Sequence, residues 1–506
     1  MPVLSKWLKV AAKLHGSHRA LVYRDSYLSW RGLAHRVERR AQELRSMGIV
    51  PGTMVGLMLG NVPDLVILLL ALDALGAVSV PIDPTTGSRD LDMILDSAPI
   101  RALVTRPVTD STAPATNPKL RAGQRVAPRA LRVTDATSSR SPKHTPEAKK
   151  RLAGSLLTLN FFKQPHFSLE VVAPSMVALT SDSGGDPKGV LRRDEELESI
   201  ALAVSLAIGA QPGQSIVLPT PFHYSSGFDI GFLPAMRSQM TMILEDEFSA
   251  KGLVRLLKEN AGDFVLGTPA QYSAACQAVN GTQLPPKARC LCVHSPGVKA
   301  AASAFYEKFQ AALIPVFHSA ETGPVAINLE GNAVSENMVG ALLPGVSIQV
   351  KSVDGKPLAP GEIGQVWIQT NSASAAAVPK MATSIRSVGT MGVCIGNKDS
   401  DGWIRSGDVG FVDEAVGRLH IQSREDDLVW LEGRRLALGE VEGCIEASAF
   451  VKHAEARVVY DEHKGAMIVV RVVPSRPCRA EDIIEHCARY LAPFKVPRHI
   501  ELCGDL

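Results

Sequence analysis

Between residues 29 and 47 the apolar positions Leu33, Val37, Ala41, Leu44 and Met47 recur at intervals of four and three, with polar residues between them. That spacing predicts an amphipathic helix with one buried stripe, capped by Ser29 and stopped at Gly48. Residues 55–58 form an apolar run of strand length. Residues 64–75 are apolar on nearly every side, which predicts a helix buried over most of its surface. A second strand follows at 76–82, closed by the turn residues Asp83 and Pro84. Strand, helix and strand with short joins predict a parallel sheet.

The α/β alternation resumes later, with strands expected at 216–219, 242–244, 264–266, 291–294 and 314–317 and a helix at 253–258. From Val339 the texture changes to short strands punctuated by Gly and Pro (346–350 and 363–369), which suits a small antiparallel barrel. Another unit starts near Asp427, with a helix at 440–447, strands at 455–460 and 466–473, and a helix at 479–490. At 506 residues the chain exceeds one ordinary core. The fold expected is α/β. A large N-terminal domain (1–425) holds parallel α/β sheets and a small β-barrel subdomain (338–425). A small α+β C-terminal domain (427–506) follows.

Composition changes this picture little. Apolar content of 45% and charged content of 21% describe a globular chain. The net charge is +3, but residues 106–151 carry 11 Lys/Arg against 3 Asp/Glu, so the remainder is slightly acidic. That basic stretch reads as a nucleic-acid or membrane patch, or as a solvated, mobile connection. It lacks interleaved aromatics and amphipathic spacing, which favours the connection, and no nucleic-acid partner is expected. Residues 371–391, rich in Ala, Ser and Thr, read as a second loose loop. The eight cysteines have no paired metal-ligand spacing, which suits reduced thiols and a cytoplasmic location. Lys6, Lys9 and Lys13 break up the first apolar residues, so no signal-peptide core is expected, and the apolar run 65–72 is too short to span a bilayer.

The candidate chemistry begins at Thr180-Ser181-Asp182-Ser183-Gly184-Gly185-Asp186-Pro187-Lys188-Gly189-Val190. It follows an apolar run, 171–178, that reads as a strand, and precedes an acidic, helix-like segment from Arg193. Small hydroxyl residues and glycines after a strand make a loop whose backbone N–H groups can point at an anion, and Lys188 adds a compact positive charge. Alone, the stretch reads first as a surface Ser/Gly turn. No Walker spacing is present.

Taken with the segments after it, the chain resembles the adenylate-forming superfamily, which includes acyl-CoA synthetases, nonribosomal-peptide adenylation domains and luciferases. Its loop runs roughly T-S-G-[ST]-T-G-x-P-K-G-V, which Thr180, Ser181, Ser183, Gly185, Pro187, Lys188, Gly189 and Val190 match. Gly76-Ala77-Val78-Ser79-Val80-Pro81-Ile82-Asp83-Pro84 resembles the family's G-A-x-x-x-P-x-x-P run. Phe317-His318-Ser319-Ala320-Glu321 resembles Y-G-x-T-E, and Ser295-Pro296-Gly297-Val298 resembles S-G-G-A. Asp401-Gly402-Trp403-Ile404-Arg405-Ser406-Gly407-Asp408 matches D-G-W-x-x-[TS]-G-D. Ser423-Arg424-Glu425-Asp426-Asp427 resembles G-R-x-D-D.

The resemblance implies roles. Phe317 would stack on adenine, with Gly297 at the adenine edge. Ala320 occupies the position of a threonine that bonds the α-phosphate. Glu321 would hold Mg²⁺ against phosphate oxygens. Asp408 would accept the ribose hydroxyls, Arg424 would sit over ribose and phosphate, and Asp426 would be the hinge of the small domain. His223 would lie near the reacting carboxylate, in a substrate pocket with Gly227 and His318. Gly433 would line a thiol tunnel. Of these, Lys188, His223, Glu321 and Arg424 carry the catalytic expectation.

The implied activity is that of an AMP-forming acyl-CoA synthetase. A carboxylate attacks ATP to give an acyl-adenylate, and the thiol of CoA or of a carrier-protein phosphopantetheine then takes the acyl group, as in fatty acid or secondary metabolism. Several departures weaken the first step. Asp182 replaces a glycine, Gly184 a threonine, and Ala320 the phosphate-bonding threonine. His318 replaces a glycine, so either the pocket is small or an imidazole faces the substrate. The family's small domain ends in P-x-x-x-x-G-K, and this sequence stops at Leu506 ahead of it. Lys495 belongs to the preceding segment. Losing one such donor typically costs about 2.7–4 kcal/mol in the transition state. The alternative is therefore a catalytically impaired relative that binds nucleotide, acyl-adenylate or a carrier protein.

Overall fold

The computed structural model describes residues 1–106, 146, 148–153, 155–162, 175–181, 187–294, 298–330, 338–352, 354–371, 377–378, 401–413, 417–424, 428–431, 434–446, 448, 450–461 and 465–503. The first helix expected from periodicity is Trp30–Ser46, with Ser29 Oγ accepting the Gly32 N–H at 3.1 Å and Leu33, Val37 and Leu44 buried. Strands Met54–Met58 and Val78–Ile82 pair in parallel through the helix Pro63–Leu75. Pro63 suits that helix's first turn because its missing N–H would have no partner there. Gly76 ends it in the left-handed region, at φ 67°.

A helix over Val3–Leu14 precedes these elements. Its lysines lie on the exposed side, while Val3, Leu4, Trp7, Leu8 and Ala11 form the buried stripe. Its first turn is satisfied from a distance. Asp194 Oδ2 accepts the Val3 N–H at 3.1 Å, and Asp73 Oδ2 accepts the Ser5 N–H at 2.7 Å and the Ser5 hydroxyl at 2.6 Å.

Two large sheets build the body. The described strands of the first run in the order 377–378, 187–192, 176–181, 78–82, 54–58, 100–105, 158–161 and 148–151. The second has at its centre the parallel strands Thr241–Leu244, Ser215–Leu218, Phe264–Gly267, Arg289–Val293 and Leu313–Ser319. These are apolar on both faces because helices cover them, as parallel strands require. The sheet continues through antiparallel Gly323–Ile327 into Met338–Leu342, Leu419–Arg424, Ile404–Val412, Gly364–Thr370 and Val346–Lys351. These last five strands lie within 338–425 and continue the second sheet, and Val339, Val366, Ile368 and Leu419 pack with Phe317 in one core cluster.

The C-terminal unit has a separate core of Leu436, Val441, Ile445, Val470, Ile483 and their neighbours. It consists of the helices Leu438–Glu446 and Ala480–Tyr490 on the strands Val451–Asp461, Gly465–Pro474 and His499–Leu502. Lys495 Nζ reaches back to Asp90 Oδ2 of the large body at 3.5 Å.

Four expectations change. The phosphate motif was expected between a strand and a helix; instead it spans a β-hairpin. Met176–Ser181 pairs antiparallel with Pro187–Arg192, Thr180 opposite Lys188, before the helix Asp194–Ile208 begins. Pro187 opens its strand, where a missing donor is tolerated. The strand expected at 171–178 begins at Met176, and 171–174 lie outside the described residues. The end of the basic connection is not a free tether, because residues 148–151 form an edge strand against Thr158–Phe161. Its exposed Lys149, Lys150 and Arg151 discourage a further strand from adding there. Ala377 and Val378, within the second expected loop, pair with Val190 and Gly189; most of that loop and residues 107–145 lie outside the described residues.

Candidate active site

His223 is delivered by the chain leaving the central strand Ser215–Leu218. Asn61, from the other sheet, holds this exit. Its Nδ2 donates to the carbonyls of Leu218 and Thr220, and its Oδ1 accepts the Phe222 N–H, all at 2.9 Å. The His223 ring is 7% exposed, and Tyr224 lies edge-on 4.2 Å away. Its Nε2 is 3.4 Å from Asp83 Oδ2, ion-pair range, yet the geometry of a hydrogen bond is not met and neither ring nitrogen has a hydrogen-bond partner. Buried polar groups left unsatisfied are rare and concentrate at functional positions. Asp83 is fixed in turn. Its Oδ1 accepts the Thr85 N–H and hydroxyl, and its Oδ2 accepts the Tyr224 hydroxyl at 3.2 Å.

Beyond His223 the chain enters a π-helical turn, Gly227–Phe232, a form found mostly at functional sites. A Cβ at Gly227 would meet the Pro221 carbonyl oxygen at 2.2 Å. The position therefore needs glycine because two backbones touch, whatever lies in front of them.

Two residues along stands Asp229, a lone carboxylate in an apolar run and 2% exposed. Its Oδ2 is the meeting point of two donors, Arg192 Nη2 at 3.1 Å and His318 Nε2 at 2.9 Å. Since a carboxylate only accepts, His318 carries its proton on Nε2. Arg192, fully buried, also donates to the Ala320 carbonyl at 2.6 Å. His318 therefore does not stand as an isolated imidazole in the pocket. Removing one member of such a buried pair typically costs about 3–5 kcal/mol.

The turn Ser319 to Thr322 joins the strands Leu313–Ser319 and Gly323–Ile327. Ser319 Oγ lies 2.8 Å from Thr322 Oγ1 and accepts the Thr322 N–H at 3.2 Å. Glu321 sits at its tip, partly exposed. Among the described residues no group of three or more His, Cys, Asp or Glu side chains could hold a metal by itself. One carboxylate completed by substrate phosphates is nevertheless the ordinary provision for magnesium, so the donor present fits that ion.

Asp408 lies in the strand Ile404–Val412, 5% exposed, directly in register with Arg424 of the next strand. Gly407, at φ 76°, turns the chain just before it, and the Asp408 N–H donates to Ser406 Oγ at 3.1 Å. Phe317 is 8% exposed and packs in the core cluster it shares with Val339 and Leu419, edge-on to His294. Thr180, Ser181 and Lys188 belong to the two strands of the hairpin. Ser183, Gly185, Gly297, Asp426 and Gly433 lie outside the described residues. Burial pushes the Cys290 thiol up to about 12 and the Cys276 thiol up to about 11, so neither is poised as a nucleophile.

The structure links His318 and Ala320 through Arg192 and Asp229, sets His223 against Asp83 and Tyr224, and adds four residues to which motif reading gives no role: Asn61, Asp83, Arg192 and Asp229. Asp229 had a sequence signal, an acid inside an apolar run. Arg192 had none, since a strand-end arginine reads as exposed.

The chain belongs to the AMP-binding enzyme family. The family's main model matches residues 8–375 and its C-terminal domain model matches residues 440–506. The chain is 24% identical to the 2-succinylbenzoate–CoA ligase of Bacillus licheniformis, covering 97% of this chain and 94% of that protein. It is likewise 24% identical to a feruloyl-CoA synthase of Amycolatopsis, covering 99% of this chain and 95% of that protein. A structure of the o-succinylbenzoate CoA synthetase of Bacillus subtilis, a double mutant bound to its product analogue, superposes with a TM-score of 0.75 at 17% identity, covering 100% of this chain and 95% of that one. No helix among the described residues is long and apolar enough to cross a membrane.

Proposed function

We propose that the chain is an AMP-forming ligase that activates a carboxylic acid with ATP and passes the acyl group to the thiol of CoA, with a carrier-protein pantetheine as the second possible acceptor. The observation that carries this reading is the bond from Arg192 to the Ala320 carbonyl. It ties the hairpin bearing the phosphate motif to the turn bearing Glu321.

The chemistry follows from the residues. The backbone of the hairpin tip and Lys188 would hold the triphosphate, and Glu321 would hold magnesium. Magnesium, when bound, supplies charge neutralisation on the phosphate oxygens. Asp408, kept rigid by Ser406, would accept ribose hydroxyls, and its register partner Arg424 would lie over the same sugar. Phe317 would meet adenine only through the part of its ring left exposed. His223, with unsatisfied ring nitrogens, would hydrogen-bond the incoming carboxylate and orient one oxygen toward the α-phosphorus. Attack there forms the acyl-phosphate bond and releases pyrophosphate. Thiol attack at the acyl carbon then forms the thioester and releases AMP. Such in-line displacement depends mainly on positioning and charge stabilisation. The 2-succinylbenzoate–CoA ligase and the feruloyl-CoA synthase are named for aryl acids, and an aromatic carboxylic acid is the substrate class to try first.

Acid-dependent exchange of labelled pyrophosphate into ATP tests the reading. Exchange stimulated by an aryl acid supports it. Tight AMP binding with no exchange for any acid would assign the chain to a nucleotide-binding role.

A further inference from the structure

Three elements converge on one oxygen atom. Arg192 ends the strand Pro187–Arg192, Asp229 comes from the π-helical turn, and His318 comes from the strand Leu313–Ser319. At 0%, 2% and 6% exposure respectively, none of the three is a surface ion pair. Arg192 has a second contact of different meaning: the same Nη2 that meets Asp229 donates to the carbonyl of Ala320, the residue beside Glu321. The turn's internal bonds, between Ser319 and Thr322, involve side chains that flank Ala320 and leave its carbonyl to Arg192. At the other end of Arg192's strand lies Lys188, paired with Thr180 in the phosphate motif. Four residues of strand span about 13 Å of rigid backbone. The strand is therefore a strut whose near end is the motif and whose far end grips the turn.

We propose that Arg192 and Asp229 are positioning residues that lock the turn carrying Glu321 onto the hairpin carrying the phosphate motif, so that a nucleotide's phosphates and its magnesium are held at one fixed spacing. Asp229 aims the guanidinium, and His318 completes the carboxylate's partners rather than meeting the acid directly. With alanine at position 320, the turn has no hydroxyl at that residue to anchor itself, and the arginine takes hold of its backbone instead. This rests on the ligase reading above.

The test uses the full chain and measures ATP affinity calorimetrically with and without Mg²⁺, in wild type, R192Q, R192K and D229N. The gain in ATP affinity on adding Mg²⁺ is expected to shrink about tenfold in R192Q and D229N, the equivalent of one charged hydrogen bond. R192K is expected to recover part of it, and metal-free AMP binding is expected to fall much less. A folded R192Q or D229N that keeps the wild-type magnesium gain overturns the proposal. Should those variants not fold, a crystal structure of wild type with Mg²⁺ and ATP decides: Arg192 hydrogen-bonded to the Ala320 carbonyl supports it, and a turn released from Arg192 overturns it. A wild-type chain that binds neither ATP nor AMP overturns the ligase reading itself. Wild-type binding with unaltered variants overturns only the positioning role.

Discussion

His223 Nε2 lies 3.4 Å from Asp83 Oδ2, and the two residues come from the exit ends of strands in different sheets. The same carboxylate takes the Tyr224 hydroxyl and is clamped by Thr85. It therefore sets the orientation of both residues at the mouth of the site while leaving the imidazole without a full hydrogen bond.

Asp83→Ala removes that guide without touching the nucleotide elements. Turnover with a carboxylic acid is expected to fall roughly tenfold to a hundredfold, as for loss of a hydrogen bond to a charged group, with KM for ATP nearly unchanged. Asp83→Asn retains a partner for Tyr224 and should recover part of the rate. Steady-state kinetics varying acid and ATP separately check this; an equal rise in both KM values counts against it.

Gly227→Ala places a methyl group 2.2 Å from the Pro221 carbonyl oxygen. The neighbour is backbone and cannot swing aside, so the segment bearing His223 must shift. Overpacking of this kind costs about 1–3 kcal/mol. A lowered melting temperature together with a reduced rate of acid-dependent exchange is expected, and an unchanged exchange rate would show that His223 tolerates the shift.

Asp73 couples the first helix to pH. Burial pushes its carboxyl from an ordinary value of 3.8 up to about 7, against the pull of the two hydrogen bonds from Ser5. Because the folded value is the raised one, the native chain holds this proton more tightly than the unfolded chain. The resulting stability is fully present below about pH 4 and is lost as pH rises to about 7, on the order of 4 kcal/mol at most. Melting temperatures measured across that range should fall for this group, and Asp73→Asn should flatten the slope. Parallel slopes in both proteins would remove Asp73 as the cause.

The contact of Lys495 with Asp90, each 13% exposed, joins the C-terminal unit to the large body. Reversing either charge alone should increase the proteolytic sensitivity of the join near residues 425–437, and the double exchange, K495D with D90K, should restore part of the protection. A double-mutant cycle with no coupling would show that the pair is incidental.

Much of the layout was legible in the chain. Period-four-and-three spacing located the helix after Ser29, doubly apolar runs located the parallel strands, and Gly and Pro punctuation located the short antiparallel strands that end the second sheet. The matches at 180–190, 317–321 and 401–408 located candidate nucleotide residues. The hairpin was missed because Pro187, Lys188 and Gly189 read as loop residues until a partner strand supplies their hydrogen bonds. The helix Val3–Leu14 is less legible because Lys6, Lys9 and Lys13 interrupt its apolar run in sequence and separate from it only when the helix puts them on the opposite face.

Local patterning and motif spacing are properties of neighbouring residues, so the sequence by itself determined the elements, their alternation and the kind of ligand they suit. Pairing across distance is another matter. That Asp83 guides His223, that Asn61 holds the strand exit, and that Arg192 reaches Asp229 and Ala320 were decided only by the tertiary structure. Each of these contacts joins groups 37 to 161 residues apart. No spacing rule reaches so far, and a buried charge finds its partner only once the sheets have closed around it.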